Sequence, residues 1–378
     1  MAERILHVIG AMDRGGAETF IMNLYRAVDR ERIQFDFLVH EQRLCDYDEE
    51  ISDLGGRLYR LPRYNGLNYG AYRSQCRAFF ARVSEHAVVH GHIGSSAPIY
   101  LSEARRAGRY TIAHSHAQNY EPGLSGLAFR IASAPVKNIA DYFMACSREA
   151  GVDRFGERIV EGGRFRIVPN GVDLEALRFD ADERSRMRKE LGLGDEPVFG
   201  HVGRLTEVKN HAFLLQVFSQ VKKMLPNALL LLAGRGPLEV ELRQAAASSG
   251  LADSVRFLGV RDDVGSLLQA MDVLVFPSLK EGLPVAVVEA QASGLPCALS
   301  TGIPEMAAAT STCKRLPLAA GADAWAAECI ELYEAADRES REVVSNEMRS
   351  SDFDIRELAR SLSEFYLLHA DPSFRRVP

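Results

Sequence analysis

Two glutamates, Glu281 and Glu289, stand eight positions apart around the start of a helix that opens at or near Pro284. A short apolar strand, Val273–Phe276, precedes them and ends in Pro277-Ser278. The loop Lys280-Glu281-Gly282-Leu283-Pro284 then leads into the helix, with proline near the first helical position, where no N–H partner is needed. The amides of Gly282, Leu283 and Val285 are expected to point out of the helix start, which attracts phosphate through both the N–H groups and the dipole. An anion site with a carboxylate on either side suits a sugar nucleotide. Its phosphates need donors, and its ribose and sugar hydroxyls need acceptors. About one domain-half earlier, Gly203-Arg204-Leu205-Thr206-Glu207-Val208-Lys209-Asn210 follows another apolar strand. Arg204 can grip phosphate oxygens with a planar fork, and Lys209 can act as a point charge. Alone, these would be two solvated loop cations; beside the glutamate loop, they read as a diphosphate clamp.

Near the N-terminus, Arg14-Gly15-Gly16-Ala17-Glu18 follows the first strand and opens the first helix. Adjacent glycines let a ligand approach the backbone and leave amides open to it. Gly10 does not complete a G-x-G-x-x-G, which speaks against a dehydrogenase. Histidines concentrate in the first half, with His-x-His at His90/His92 and at His114/His116. Each pair falls on one face of an extended strand. A zinc site is discounted, because neither pair has a cysteine or carboxylate at ligand spacing. A polar cleft at the carboxyl ends of parallel strands is the preferred reading, with His114 directly after the strand Tyr110–Ala113 and His92, Ser95 and Ser96 along the same edge. Two D-x-D triplets, Asp46-Tyr47-Asp48 and Asp352-Phe353-Asp354, read as helix-start carboxylates rather than metal ligands.

These groups must be held by strands and helices in alternation. Continuous apolar runs at Ile5–Ile9, Phe35–Val39, Arg57–Leu61, Ala87–His90, Tyr110–Ala113, Tyr142–Ala145 and Phe165–Val168 are separated by amphipathic stretches such as Ala17–Ala27, Tyr72–Ser84, Ala97–Ala107 and Leu124–Ile139. That alternation predicts a parallel sheet covered on both faces. Pro169-Asn170-Gly171 and the charged stretch Asp180–Glu190 mark a boundary. A second series then runs through Val198–Val202, Leu229–Ala233, Val255–Leu258, Val273–Phe276 and Cys297–Leu299, with helices at His211–Leu225, Leu238–Ala247 and Pro284–Ser293. A last helix, Ile355–Leu368, is amphipathic. The expected division is 1–172, 173–352 and a terminal segment 353–378.

The chain has 378 residues, enough for about two domains, with 47% apolar and 25% charged residues. A net charge of −6 argues against nucleic acid as the main partner. The charge is divided unevenly, at +2 up to Val172 and −8 beyond it, a mild bias toward an anionic membrane surface for the first half. No C-x-x-C pair occurs among the six cysteines, and no stretch reads as a signal segment or membrane span, so a cytoplasmic protein with reduced thiols is expected.

Taken together, ILHVIGAMDRGGAETFIMNLYRAVDRERIQFDFLVH, RLYRLPRYNG, HGHIGSSAPIYLS, YTIAHSHAQN, ACSREAGVDRFG, GHVGRLTEVKNH, FLGVRDDV and EGLPVAVVEAQASGLPC resemble the family 4 retaining glycosyltransferases over nearly the whole chain, nearest the bacterial exopolysaccharide-biosynthesis branch. The resemblance implies the α/β GT-B fold, two Rossmann-like domains facing a cleft. It implies an N-terminal acceptor domain and a C-terminal domain that binds a nucleotide sugar, a UDP-sugar as expected here. The last helix would cross back onto the first domain. Glu289 would accept from the ribose hydroxyls. Glu281 would hold hydroxyls of the transferred sugar, with Gly282, Leu283 and Pro284 nearby. Arg204 and Lys209 would bind the diphosphate, Gly15 and Gly16 would lie at the phosphates, and Val260 and Arg261 would sit beside the base. His114, or alternatively His116, would meet the donor sugar near the reaction centre. The Thr301-Gly302-Ile303-Pro304-Glu305 segment departs from the family's two-glycine pattern, and no role is carried over from it. The implied reaction is transfer of a hexose-type sugar to a saccharide acceptor, lipid-linked and at the inner membrane face, with no cofactor and no metal. A nucleotide-sugar epimerase of related fold and a non-catalytic partner subunit are the alternatives.

Overall fold

The computed structural model describes residues 2–92, 94–116, 123–336, 338–371 and 373. The chain forms two compact units, Met1–Gly171 with Ile355–Pro378, and Val172–Asp354. The Ala117-Gln118-Asn119 end of the histidine segment lies outside the described residues.

The first unit is built on a seven-stranded sheet: β1 (Glu3–Ile9), β2 (Ile33–Val39), β3 (Leu58–Arg60), β4 (Val88–His92), β5 (Tyr110–Ser115), β6 (Tyr142–Ala145) and β7 (Phe165–Ile167). Their order is β3-β2-β1-β4-β5-β6-β7, and every pairing is parallel. Alternate residues of each strand feed two cores. Leu6, Val8, Val89 and Ala113 join Tyr72, Phe79 and Tyr100 on one face. Ile5, Ile9, Val88 and Ile112 join Phe20, Tyr25, Phe35 and Tyr366 on the other. That second face is covered by the helix Gly16–Ala27 and by the helix Ile355–Ala370. The period-two alternation places His7, His90, His92 and His114 on this same face.

The second unit carries a six-stranded sheet: β8 (Val198–Val202), β9 (Leu229–Ala233), β10 (Val255–Gly259), β11 (Val273–Phe276), β12 (Cys297–Ser300) and β13 (Cys313–Leu316). The order is β10-β9-β8-β11-β12-β13, again all parallel. The chain runs outward from β8 through β9 and β10, then returns to the other side of β8 with β11. Open sheets bind ligands where the strand order reverses in this way, at the carboxyl ends of the two central strands.

One sequence expectation needs correcting, and two elements add to it. Leu124–Ile139 is not one helix: it runs Gly123–Ser133 and then tightens to a 3₁₀ turn, Ala134–Asn138, because Pro135 cannot supply the N–H that continuation needs. Asp180–Glu190 is largely the helix Ala181–Glu190, capped by Asp180 through the amides of Asp182 and Glu183. The edge strand β13 was not expected, since Cys-Lys-Arg-Leu offers no apolar run.

Candidate active site

The carboxyl ends of β8 and β11 bring two sequence-distant loops together. Leu279 N–H donates to Val208 C=O at 2.8 Å, which ties the glutamate loop to the Arg204–Lys209 loop. Asn210 strengthens the junction by taking a left-handed conformation (φ 55°) and donating its side-chain amide to Pro277 C=O at 3.2 Å. As a result, Lys209 Nζ donates to Glu281 Oε1 at 2.7 Å, with both side chains largely buried. The Lys209 ammonium also lies 4.6 Å from the centre of the Phe276 ring, so an aromatic face and a carboxylate fix its position. Arg204 is exposed, and among the described residues its guanidinium has no hydrogen-bond or ion-pair partner.

The helix after this loop, Val285–Ala292, has Pro284 as its N-cap. Val287 and Val288 donate back to Pro284 C=O, which makes Val285 and Ala286 the orphan amides of the first turn. Gly282, Leu283 and Pro284 are buried, and Glu289 is half-buried one turn into the helix. The loop is held from behind by the Thr301-Gly302-Ile303-Pro304-Glu305 segment, to which the resemblance carries no role. Glu281 N–H donates to Gly302 C=O at 3.2 Å, and Ser300 Oγ donates to Ser278 C=O. A Cβ at Gly302 would lie 2.2 Å from Leu279 O, so only glycine admits this approach. The same is true across the β8 and β9 exits, where a Cβ at Gly234 would lie 2.0 Å from Gly203 O. Val260 is exposed beyond β10. Arg261 is committed to Asp263, Nε donating to Oδ1 at 2.7 Å and Nη2 to the other oxygen, with Glu190 at 3.6 Å.

In the first unit, Gly15 caps the helix Gly16–Ala27 in an extended conformation. A Cβ at Gly16 would meet nothing within 4 Å, so packing within this unit does not demand glycine there. Asp46 and Asp48 are engaged internally. Asp46 accepts from Arg14 N–H at 2.9 Å, and Asp48 from Cys45 N–H at 2.8 Å and from Arg60 at 2.6 Å.

His114 is not beyond its strand, as the apolar run suggested. β5 continues through Ser115, since His114 pairs in register with His92 on β4 and Met144 on β6. The His114 side chain is fully buried, and the histidine at the strand exit is His116, half-buried. His92 likewise belongs to β4 rather than to a loop. Five imidazoles therefore meet on three adjacent strands and their exit. His7 Nδ1 and His92 Nε2 are 2.9 Å apart, His92 Nδ1 and His116 Nε2 2.7 Å, and His90 Nε2 and His114 Nδ1 3.0 Å. His90 Nδ1 lies 2.6 Å from Tyr366 Oη on the C-terminal helix. Burial pushes His7 down to about 3 and His116 to about 4, and holds His90, His92 and His114 well below the usual range. The cluster is thus neutral at ordinary pH. Sequence spacing displayed two separate pairs; only the register of β1, β4 and β5 shows them as neighbours.

Comparison with known proteins agrees with this architecture. The family description "Glycosyltransferase Family 4" matches residues 14–176, and "Glycosyl transferases group 1" matches residues 196–335. "Putative glycosyltransferase EpsF" of Bacillus subtilis (strain 168) is 36% identical over 380 residues, covering 99% of each chain. The GDP-mannose-dependent alpha-(1-6)-phosphatidylinositol monomannoside mannosyltransferase of Mycolicibacterium smegmatis is 31% identical over 275 residues, 69% of this chain and 70% of that one. Among solved structures, Anabaena Alr3699/HepE in complex with UDP and glucose superposes with a TM-score of 0.79 at 18% identity, covering 97% of this chain and 99% of that one. With two parallel-sheet Rossmann-like units in the GT-B class and a full-length relative at this identity, the chain belongs to the family 4 glycosyltransferases.

Proposed function

We propose that this glycosyltransferase moves a hexose-type sugar, with retention at the anomeric carbon, from a UDP-sugar to a lipid-linked saccharide during synthesis of an exopolysaccharide or another cell-surface glycan. The observation that carries the reading is the Lys209–Glu281 pair at the β8/β11 switch point, beside exposed Arg204 and the orphan amides of Val285 and Ala286. Arg204 and Lys209 take the diphosphate and stabilise it as it departs, the main electrostatic contribution. Glu289 accepts from the ribose, and Glu281 from the transferred sugar, flanked by Gly282, Leu283 and Pro284. The open space at Gly16 fits a backbone kept clear for phosphate, with Gly15 as its cap. His116, at the strand exit, takes the contact with the donor sugar, and His114 orients the cluster behind it. No carboxylate stands assigned as a covalent nucleophile, so a same-face displacement assisted by the leaving phosphate accounts for retention, with no divalent metal required.

In this reading Val260 and Arg261 lie beside the base. A guanine offers N–H groups that a carboxylate would accept, but Asp263 is occupied by Arg261. Uracil demands less, a single N3–H acceptor against guanine's N1–H and exocyclic amine. The UDP in the Anabaena neighbour agrees with uridine, whereas the mycobacterial relative's GDP-mannose is the competitor to be tested. That relative's name also specifies a lipid acceptor. No helix among the described residues is long and apolar enough to cross a membrane, but Leu127 and Ile131 are exposed one helical turn apart, beside exposed Arg130. Such a face suits peripheral contact with an anionic bilayer.

A thermal-shift panel of UDP-glucose, UDP-galactose and GDP-mannose tests the donor, because a ligand of the native state must raise the melting point. A UDP-sugar should stabilise the protein, and NMR of the product should show an α-linkage. Stabilisation by GDP-mannose alone, or a β-linked product from an α-donor, would overturn the reading.

A further inference from the structure

The histidine cluster has a geometry that sugar transfer does not explain. His92 and His114 face each other across β4 and β5, and His116 follows two residues after His114. Two residues at i and i+2 share one face of an extended chain, and the cross-strand partner of the first completes a three-cornered set. One ring nitrogen from each of His92, His114 and His116 lies within 4.8 Å of the other two.

The second nitrogen of His92 and that of His114 are held from outside this set. His92 Nε2 faces His7 Nδ1 at 2.9 Å, and His114 Nδ1 faces His90 Nε2 at 3.0 Å. His90 is itself fixed by Tyr366 Oη. His116 Nδ1 is buried without a hydrogen-bond partner, with the buried side chain of Asn170 beside it. His92 Nδ1 and His116 Nε2 face each other 2.7 Å apart, and His114 Nε2 is buried and has no hydrogen-bond partner. Metal-bound histidines show this same arrangement, one nitrogen on the ion and the other on an orienting partner.

We propose that His92, His114 and His116 form a binding site for one divalent ion of the zinc class, three neutral imidazoles with the fourth position open at the strand exit. Metal–nitrogen distances of about 2.0–2.1 Å put tetrahedral ligand nitrogens about 3.4 Å apart. The His92–His116 contact therefore has to widen by only about 0.6 Å, within the reach of a small ring rotation. The other triad, His7, His90 and His92, also lies within ligand range but is fully buried, whereas His116 stands half-buried at the strand exit, where an ion can enter. The ion is not a requirement of the transfer proposed above. It would occupy His116, which that reading places against the donor sugar, so it should inhibit; this last clause rests on that assignment.

The test uses the full chain freed of metal by a chelator and dialysed, then titrated with cobalt(II), with zinc(II) as competitor. One equivalent of cobalt should bind with the intense visible bands of tetrahedral coordination, and zinc should abolish them. His116→Gln, at a half-buried position where the fold should be kept, should lose the bands while retaining the wild-type circular dichroism. His7→Gln, which removes only an orienting partner, should weaken binding about 10- to 100-fold without changing the stoichiometry. The site is overturned by the absence of a 1:1 cobalt spectrum, by full retention of it in His116→Gln, or by its complete loss in His7→Gln alone. Full occupancy with unaltered sugar transfer would leave the site standing and would instead remove His116 from the reaction.

Discussion

Mild acid should selectively unfold the N-terminal unit. His7, His90, His92 and His114 are buried and held neutral far below their ordinary titration range. Their folded pKa values are lowered, so the unfolded chain binds more protons than the native one once pH drops below about 6.5. Stability is therefore fully present above that pH and lost progressively as pH falls toward the folded values. At pH 5.5 each group favours the unfolded state by roughly 1.4 kcal/mol. The protons are taken up by the unfolded chain, where the sites are independent, so the contributions add despite the crowding in the native cluster. Four groups cost about 5 kcal/mol between pH 7 and 5.5, comparable with the whole stability of many domains. His116 adds to this. Carboxylates contribute little in this window, since their ordinary values lie near 4. The second unit has two such groups, His201 and His211, and should lose less than half as much. Urea unfolding at pH 7, 6 and 5.5 can separate the units. Fluorescence of Trp325, the chain's single tryptophan, reports the second, and hydrogen exchange in peptides of β1, β4 and β5 reports the first. Unchanged urea midpoints for the first unit between pH 7 and 5.5, or a proton uptake on unfolding below two, would show that these imidazoles are not held neutral.

Other outcomes follow from the second unit. Glu289→Ala should weaken UDP binding by about 10- to 100-fold, the worth of a charge-assisted hydrogen bond of roughly 1.5–3 kcal/mol. Glu281→Ala should cut turnover while leaving UDP affinity nearly unchanged; calorimetry with UDP alone separates the two, and equal losses would reverse the assignment. Gly16→Ala should leave the melting point of the free protein unchanged, because a Cβ there meets nothing within 4 Å, yet weaken donor binding. Transfer should survive excess chelator; loss that manganese or magnesium restores would refute the metal-free reading. Anionic liposomes should carry the protein in flotation at low salt, and replacing Leu127 and Ile131 with serine should reduce that binding.

Much of the fold was legible because fully buried parallel strands are continuous apolar runs. Val198–Val202, Leu229–Ala233 and Val273–Phe276 occur in the structure with the bounds read from sequence. Where strands carry polar residues, that signal fails. β4 and β5 extend into His92 and His114, and β13 has charged residues at an edge. Imidazole can lie in a sheet interior when at least one of its nitrogens is hydrogen-bonded, so polarity marked an end that the ladder ignores. The importance of Gly302 was also hidden. Its role is to admit the Ser278–Leu279 backbone, a demand set by a neighbour more than twenty residues away in the chain.

The pairing of Lys209 with Glu281 was beyond sequence for the same reason, and it changes how the two residues work. Seventy-two positions apart, they read as separate ligands for phosphate and sugar. In the fold they first hold each other. A lysine beside the Phe276 ring without Glu281 would leave a largely buried charge lacking this counter-ion. Together they keep the loop in place before any donor arrives. A diphosphate need not break this contact, because an ammonium has three donors and Glu281 uses one. The donor's negative charge thus meets a cation already oriented, and the entropy of ordering Lys209 is settled by folding rather than at binding. The same bond places the carboxylate that is proposed to read the sugar at a fixed distance from the cation proposed to hold its phosphates, so one ion pair couples recognition of the two halves of the donor.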